Sequence, residues 1–153
     1  MFLYLNFIDK VSTARERLCG YKKALKASGI SPKQDWVING CINQTDGYKI
    51  MRNLLDKYEL PFSVLCYSDY IALGAIRAIN ERDIKMPDEV AIMGIDDIDI
   101  ASFIRPKLST VHIPIGELGR KSADILMDII SEKDNPIMRQ VILQPSIVIR
   151  DTA

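Results

Sequence analysis

One stretch of the sequence decides the fold, and it runs from Phe62 to Asp97: FSVLCYSDYIALGAIRAINERDIKMPDEVAIMGIDD. It opens with an apolar run of strand length, Phe62 to Tyr67, and closes with another, Val90 to Ile95. Between them, from Asp69 to Arg82, apolar residues recur every three or four positions, as on one face of a helix. A helix between two short apolar strands is typical of a parallel sheet, because parallel strands need a long crossover connection.

The same alternation of strand and helix extends toward both ends of the chain. The remaining expected elements are a strand from Met1 to Phe7, a helix from the T-x-x-E capping box at Thr13 to Gly29, a strand at Trp36–Asn39, a helix from Asp46 to Tyr58, a short strand at Leu108–His112, a helix at Gly116–Ser131 and two extended pieces separated at Pro145. Right-handed crossovers would then place helices on both faces of the sheet. The sequence predicts an α/β domain with three layers, α/β/α, around a parallel sheet.

Composition narrows the class of protein. With 153 residues, 48% of them hydrophobic, the chain is long enough for one core and short for two independent domains. Lys plus Arg and Asp plus Glu both number 20, and no basic run offers a binding surface for nucleic acid.

The apolar segment at the start of the chain is too short for a membrane span or a signal peptide, which favours the cytoplasm and excludes a membrane role. The odd number of cysteines, without C-x-x-C spacing, indicates buried free thiols.

Polar residues follow the expected strands at their carboxyl ends, where ligands bind in open parallel sheets. Strand one leads to Thr13 and Arg17, strand three to Ser68 and Asp69, and strand four to Asp96 and Asp97. A guanidinium that donates and a carboxylate that accepts suit polyols, sugars or nucleobases, and the pattern leaves these open. The alternative is structural: Asp69 and Asp97 would cap helices, and Arg17 and Asp96 would form salt bridges.

Signals for catalysis are missing from the sequence. No phosphate-binding glycine loop, H-E-x-x-H or G-x-S-x-G motif occurs, and His112 lies in an expected strand with apolar neighbours, which favours a structural role. Asp96 and Asp97 have no third carboxylate or histidine at a recognisable spacing for a metal site. We therefore expect a binding module that is not an enzyme and uses no cofactor or metal.

Several motifs occur in a fixed order along the chain: TARERLCGY at 13–21, SDYIALGA at 68–75, MGIDD at 93–97 and PKLSTV at 106–111, followed by Pro114, Leu118-Gly119 and VIR at 148–150. Together they resemble the LacI/GalR family of bacterial transcription regulators. The resemblance covers essentially the whole chain. It implies a periplasmic-binding-protein-like fold of two subdomains that clamps a sugar or purine effector, behind a helix-turn-helix headpiece that binds operator DNA.

The resemblance also divides the chain. Residues 1–113 match the second subdomain of the effector-binding domain, residues 114–144 match a crossover helix and strand of the first subdomain, and residues 145–153 match a return strand. The headpiece and the rest of the first subdomain have no counterpart here, so DNA would be contacted only through a headpiece that this chain lacks. The helix at 116–131 would then pack on its own sheet or on a second chain, including by exchange between protomers.

The resemblance also indicates which residues would contact an effector and which would form a homodimer. The resemblance implies effector contacts at Arg17, Asp96 and Ser68, where Ser68 replaces a common Asn. Ile42 stands where an aromatic ring often stacks on the ligand, and Ile113 where a Gln is frequent; Thr13 joins them from its place on the rim. A homodimer would use Leu73, Ile76, Arg77 and Phe103, for which ordinary core packing is the alternative.

Other functions stay open at this point. A periplasmic-type sugar-binding protein would share the fold, and a non-binding dimerisation fragment would share the family signature. An enzyme would need a positioned nucleophile, base or metal at the rim.

Overall fold

A computed structural model of the chain describes residues 1–131 and 140–153. The strands are β1 (Phe2–Leu5), β2 (Val37–Ile38), β3 (Phe62–Cys66), β4 (Val90–Asp96), β5 (Ser109–His112) and β6 (Ser146–Val148). The helices are α1 (Ser12–Ala27), α2 (Gln44–Lys57), α3 (Asp69–Asn80) and α4 (Ile115–Ser131), with short 3-10 turns at Gln34–Trp36 and Asp99–Ser102. The predicted α/β class and the alternation of strand and helix are confirmed.

All six of these strands form one sheet in the order β2-β1-β3-β4-β5-β6. The first five run parallel, with Leu5 opposite Cys66 and Met93 opposite Ser109, and β6 runs antiparallel to β5. The chain moves from β1 outward to β2 and then returns to the other side of β1 to form β3. Strand order therefore reverses between β1 and β3, and such a switch point opens a crevice at the carboxyl ends of the strands.

Helices cover both faces of this sheet, as expected. On one face, Tyr21 and Leu25 of α1 pack on Tyr4 of β1, and the Tyr4 and Tyr21 rings stack with centroids 5.1 Å apart. On the other face, α2 and α3 cover the neighbouring residues Leu3 and Leu5. The two sets alternate along β1 because successive side chains of a strand point to opposite faces.

Helices α2 and α3 approach each other closely at a glycine. A Cβ atom at Gly74 of α3 would lie 1.9 Å from the carbonyl oxygen of Gln44 at the start of α2. Only a residue without a side chain fits there. This contact sets how closely α2 and α3 pack against each other.

Helix α1 begins differently from the sequence prediction. The expected capping box at Thr13 is wrong: the N-cap is Val11, without a side-chain cap, and Thr13 lies inside the first turn. The physical reason is that the amide of Val11 already donates to the carbonyl oxygen of Ile8, which starts the turn earlier. A capping box does form at α2, between Asn43 and Asp46.

Helix α4 stands apart from the rest of the domain. None of its residues is buried, and apolar side chains on it are about half exposed, including Leu118 at 49% and Leu126 at 57%. Packing of this helix on its own sheet is therefore wrong for this chain as described. Packing on a second chain stays a prediction.

After α4, part of the expected 114–144 segment, residues 132–139, lies outside the described residues. Residues 140–145 form no strand. β6 then pairs with β5, and the hydroxyl of Thr152 donates to the carbonyl oxygen of Ile92, so the last residues lie against β4 and β5.

The cysteines differ in exposure. Cys41 and Cys66 are buried free thiols, as expected, and burial raises the pKa of Cys41 to about 12. Cys19 is exposed, which contradicts the expectation for that residue, because its side chain lies on the outer side of α1. Within residues 1–131 and 140–153, no helix is long and apolar enough to cross a membrane.

Candidate functional site

An ion pair at the carboxyl ends of β3 and β4 forms the centre of the candidate site. Arg17, in the second turn of α1, lies with Nη2 3.2 Å from Oδ1 of Asp96, the last residue of β4. Its Nη1 also donates to the carbonyl oxygen of Tyr67, directly after β3. The two side chains are 25% and 27% exposed. The pair is held in place from two strands and is still reachable from solvent.

Two aromatic rings adjoin this pair. The Arg17 guanidinium lies 4.5 Å from the ring centroid of Tyr67, and the Phe7 ring stacks on Tyr67 with centroids 5.0 Å apart and an interplanar angle of 18°. The Tyr67 hydroxyl is 2.9 Å from Oγ1 of Thr13. Sequence reasoning missed both rings, although each follows the end of a strand. Phe7 and Tyr67 therefore span the switch point between β1 and β3.

The Asp96 carboxylate is set in an unusual backbone. Asp96 has a φ of 122° and Asp97 a φ of 55°, the left-handed region that residues other than glycine rarely occupy. Such strain persists only where the surroundings fix it, and it concentrates at functional sites. Burial raises the pKa of Asp96 above its ordinary value, and the charge and hydrogen bond of Arg17 oppose that rise.

Asp97 has a structural role. Its Oδ1 lies 2.7 Å from Nη2 of Arg150 and its Oδ2 3.0 Å from Nδ1 of His112. Burial tends to raise the pKa of Asp97, but the hydrogen bonds and charges of Arg150 and His112 lower it below its ordinary value. Capping by Asp97 is wrong, since the following 3-10 turn has Ile98 at its N-cap. The carboxylate instead joins the end of β4 to β5 and to the residues after β6.

Asp69 is also not a helix cap. The N-cap of α3 is Ser68, whose side chain makes no capping bond, and Asp69 is fully buried. Its Oδ2 accepts from the amide of Ile98 at 2.9 Å, and its Oδ1 accepts from the hydroxyl of Thr110. Asp69 thereby fixes the loop that follows β4. Because Asp97 begins that loop directly after Asp96, Asp69 positions the rim without facing the crevice.

The remaining candidate residues lie around the rim at varying exposure. Thr13 is exposed and reaches the centre through Tyr67, Ser68 is half-buried beside Tyr67, and Ile113 is half-buried just after β5. Ile42 is 53% exposed on the loop before α2. That loop is tied to β1, since the amide of Gly40 donates to the carbonyl oxygen of Phe7. The structure thus brings together Arg17, Asp96 and Thr13, with Ser68 adjacent and the two isoleucines on flanking loops.

The candidate dimer residues fall into two groups. Arg77 and Phe103 are strongly exposed, Phe103 at 74%, and Leu73 is half-buried. Ile76 is only 3% exposed and belongs to the core. No group of three or more His, Cys, Asp or Glu residues suited to a metal ion occurs in the part of the chain that the structure describes.

Comparisons with known proteins point to one family. A family model for the periplasmic binding protein-like domain matches residues 1–153. The HTH-type transcriptional repressor PurR of Haemophilus influenzae (strain PittEE) is 36% identical over 141 residues, which cover 91% of this chain and 42% of the repressor. This chain therefore spans less than half the length of that relative.

Solved structures agree with the sequence match. A regulatory protein of the LacI family from Chloroflexus aggregans superposes with a TM-score of 0.89 at 28% identity, over 99% of this chain and 54% of that one. A LacI family transcriptional regulator from Enterococcus faecium with bound ribose superposes with a TM-score of 0.84 at 29% identity, over 98% of this chain and 55% of that one.

Proposed function

Because the chain belongs to the periplasmic binding protein-like domain family, as found in LacI/GalR-type regulators, we propose that it is the effector-sensing portion of a transcriptional regulator. Its effector is a sugar or a purine-like small molecule. The relatives are named as transcriptional repressors, which supports a binding module and not an enzyme. Sensing in the cytoplasm follows from that role.

The observation that carries this proposal is the Arg17–Asp96 pair at the carboxyl edge of the sheet. An arginine offers five N–H donors in a plane, and a carboxylate offers only acceptors, so the two together can hold a molecule that carries both hydroxyl or N–H groups and acceptor atoms. The pair lies beside the switch point between β1 and β3, where open α/β sheets bind their ligands. The strained backbone at Asp96 supports a binding role over a simple salt bridge.

Signalling would depend on closure between two subdomains. In this proposal, one subdomain consists of residues 1–113 and 145–153. Residues 114–144 belong to the other subdomain. The unburied apolar side of α4 supports that division, because such a face normally packs against a partner. An effector that contacts both subdomains binds the closed state more tightly than the open state and so stabilises closure. A DNA-binding headpiece would respond to that change in the arrangement of the subdomains.

Dimerisation would use the surface formed by α3 and the 3-10 turn after β4. Tyr70 at 55%, Ile100 at 45% and Phe103 at 74% expose apolar area there, next to Leu73 and Arg77. Aromatic residues and arginine are enriched in interfaces between proteins.

Thermal-shift screening against sugars, sugar phosphates and purines tests the proposal. A ligand at 100 times its Kd stabilises the folded state by about 2.7 kcal/mol, which raises the melting temperature by several degrees. We expect Arg17→Ala and Asp96→Asn to abolish the shift. Arg120→Ala and Asp124→Asn, which remove an exposed Arg–Asp pair on α4, are the matched controls. No shift with any compound, or a shift indifferent to Arg17 and Asp96, would contradict effector binding at this rim and favour a non-binding dimerisation module.

A further inference from the structure

We propose that the outer side of α1 is a docking surface for an acidic, amphipathic segment of a partner protein. Exposed cations, one leucine and the loop after α1 form this surface: Arg15, Leu18, Lys22, Lys23, Lys26 and residues 32–39. We call it the α1 surface. Arg17 is not part of it, because its guanidinium turns to Asp96. The inference goes beyond the proposed function and does not depend on which effector binds at the rim.

Positive charge is concentrated in this part of the chain. Residues 9–33 hold seven Lys and Arg but only two Asp and Glu, although the whole chain is neutral. Lys26 comes four residues after Lys22 and three after Lys23, and Arg15 comes seven before Lys22, so all four share one side of α1. Like charges at three- and four-residue spacings destabilise a helix. An arrangement that costs the helix stability favours a role in contacts with another molecule.

The lysines of the α1 surface have no acidic partner in the described part of the chain. Within residues 1–131 and 140–153, no salt bridge engages Lys22, Lys23 or Lys26, and all three side chains are exposed. Elsewhere an exposed cation is paired along its own helix, as Arg77 is with Glu81 on α3. The α1 surface therefore offers positive charge that the domain itself does not neutralise, and such a surface attracts partners of opposite charge.

Two adjoining depressions give the α1 surface its shape. A groove of about 410 Å³ lies along α1, where Leu18 and Cys19 are flanked by the cations. A depression of about 510 Å³ lies between α1 and the loop at 32–39, and it shares Leu18 and Lys22 with the groove. Leu18 is half-buried against Tyr4 and Tyr21, so it forms an apolar floor that both share. None of the described residues that line the two depressions is acidic.

This combination favours an acidic polypeptide over a nucleic acid. The outer surface of a nucleic acid duplex is phosphate, so it would meet the cations and leave the apolar floor at Leu18 without a partner. A polypeptide that mixes apolar and acidic residues meets both, because apolar side chains cover Leu18 and the lysine stems while carboxylates reach the ammonium groups. Gln34 and Asn39 line the second depression, and their amide groups can bond the main chain of such a segment.

Fluorescence anisotropy of a labelled peptide that repeats Glu-Leu-Glu-Glu, titrated with the full chain, tests the inference. The measurement is made at physiological ionic strength, where exposed charges more than about 8 Å apart are largely screened. This peptide should bind more tightly than an all-glutamate peptide of equal charge and more tightly than a DNA duplex. Lys22→Glu combined with Lys26→Glu should lower its affinity by more than about tenfold, because attraction becomes repulsion.

The matched control reverses two exposed lysines on α2. Lys49→Glu combined with Lys57→Glu changes the net charge of the chain equally and should leave the affinity unchanged. Both double variants should keep the circular dichroism spectrum of the parent chain, since every substituted side chain is exposed. An equal loss of affinity in the two double variants would overturn the inference, because it would show a response to net charge alone.

Cys19 provides a second readout at the surface itself. It is the exposed cysteine in the groove, whereas Cys41 and Cys66 are buried. Bound Glu-Leu-Glu-Glu peptide should slow the reaction of Cys19 with a thiol reagent, and this protection should disappear in the variant with Lys22→Glu and Lys26→Glu.

Four results would overturn the inference. They are no binding of the Glu-Leu-Glu-Glu peptide, binding that leaves Cys19 unprotected, tighter binding of the all-glutamate peptide or the duplex, and dimerisation of the parent chain that the substitutions at Lys22 and Lys26 abolish. The last result would assign the α1 surface to a second copy of the chain. None of them bears on effector binding at Arg17 and Asp96.

Discussion

The carboxylate of Asp69 occupies the space in which a side chain at Gly94 would lie: a Cβ atom there would be 2.0 Å from Asp69 Oδ1. Gly94 is in the middle of β4, two residues before Asp96, and Asp69 begins α3. The missing side chain thus allows a buried carboxylate to cross over β4 and accept hydrogen bonds from Ile98 and Thr110. The geometry of the rim depends on this close approach.

Gly94→Ala should therefore destabilise the protein. The added methyl group must displace Asp69, which breaks its buried hydrogen bonds, and overpacking of this kind costs about 1–3 kcal/mol. Urea unfolding followed by circular dichroism measures the change. Gly20→Ala is the matched control, because a Cβ there meets nothing within 4 Å and alanine favours the interior of α1 by about 1 kcal/mol. Equal stability of the Gly94 variant and the parent chain would argue against the close approach.

The Asp97–Arg150 pair should matter more for stability than a typical surface pair. Both side chains are only 17% exposed, and Arg150 also donates to the carbonyl oxygen of Leu108. Arg150→Ala should cost about 2 kcal/mol, since a hydrogen bond to a charged group contributes about 1.5–3 kcal/mol. The exposed Arg77–Glu81 pair on α3 offers a comparison, and Arg77→Ala should cost less than about 0.5 kcal/mol. Similar losses for the two variants in the same unfolding experiment would contradict this role.

Strong periodicity allowed the sequence to predict much of the fold. From β3 to β4, the apolar runs and the helical spacing were specific enough to place both strands and α3 within about two residues. The roles of polar residues were harder to predict. Asp69 fitted the pattern of a helix cap, and its buried bonds to residues far along the chain depend on strand order, which periodicity does not encode.

Only part of the candidate site was predicted, again because periodicity does not encode strand order. Arg17 and Asp96 were identified because each follows a strand end and matches a family motif. Phe7 and Tyr67 were missed, since an aromatic residue at a strand end is indistinguishable from core until the register of β1 and β3 brings the two rings together. Thr13 was assigned to a capping box by its spacing to Glu16, and only the three-dimensional structure shows that its hydroxyl meets Tyr67.

Effector binding should weaken on acidification, and it should do so above the pH at which an ordinary aspartate protonates. Burial raises the pKa of Asp96 above the ordinary 3.8, so this group gains a proton early as the pH falls and accepts hydrogen bonds less well. A raised pKa in the folded state means that protonation of Asp96 favours folding, so this group does not cause acid unfolding in that range. Titration calorimetry at decreasing pH measures the effect.

Asp97 provides an internal reference for that experiment. Its pKa is lowered, so its contribution to stability is present above the pKa of an unfolded aspartate and is lost only as the pH falls through its own lower value. It stays ionised while Asp96 protonates. An affinity that stays constant until the pH approaches 3.8 would contradict a ligand contact at Asp96.

Self-association should depend on the surface around Phe103. Burying its 74% exposed ring against a second copy removes apolar area from water, and a charge at that position would oppose the contact. Phe103→Asp should therefore shift the sedimentation coefficient from dimer toward monomer.

The exposed apolar side of α4 is a second place at which two copies could pack. Leu126→Ser should shift the sedimentation coefficient toward monomer if α4 packs on a second chain. A parent chain that stays monomeric at concentrations up to 100 µM, about a hundred times a micromolar Kd, would contradict both contacts.

A crystal structure of the chain with the strongest hit from the ligand screen tests the central claim most directly. We predict electron density for the ligand at the carboxyl edge of the sheet, within hydrogen-bonding distance of Arg17 and Asp96. Density elsewhere, for example in the apolar groove of about 380 Å³ between α1 and the strands beside Leu25 and Ile92, with an empty rim at Arg17, would contradict the assignment of this rim as the effector site.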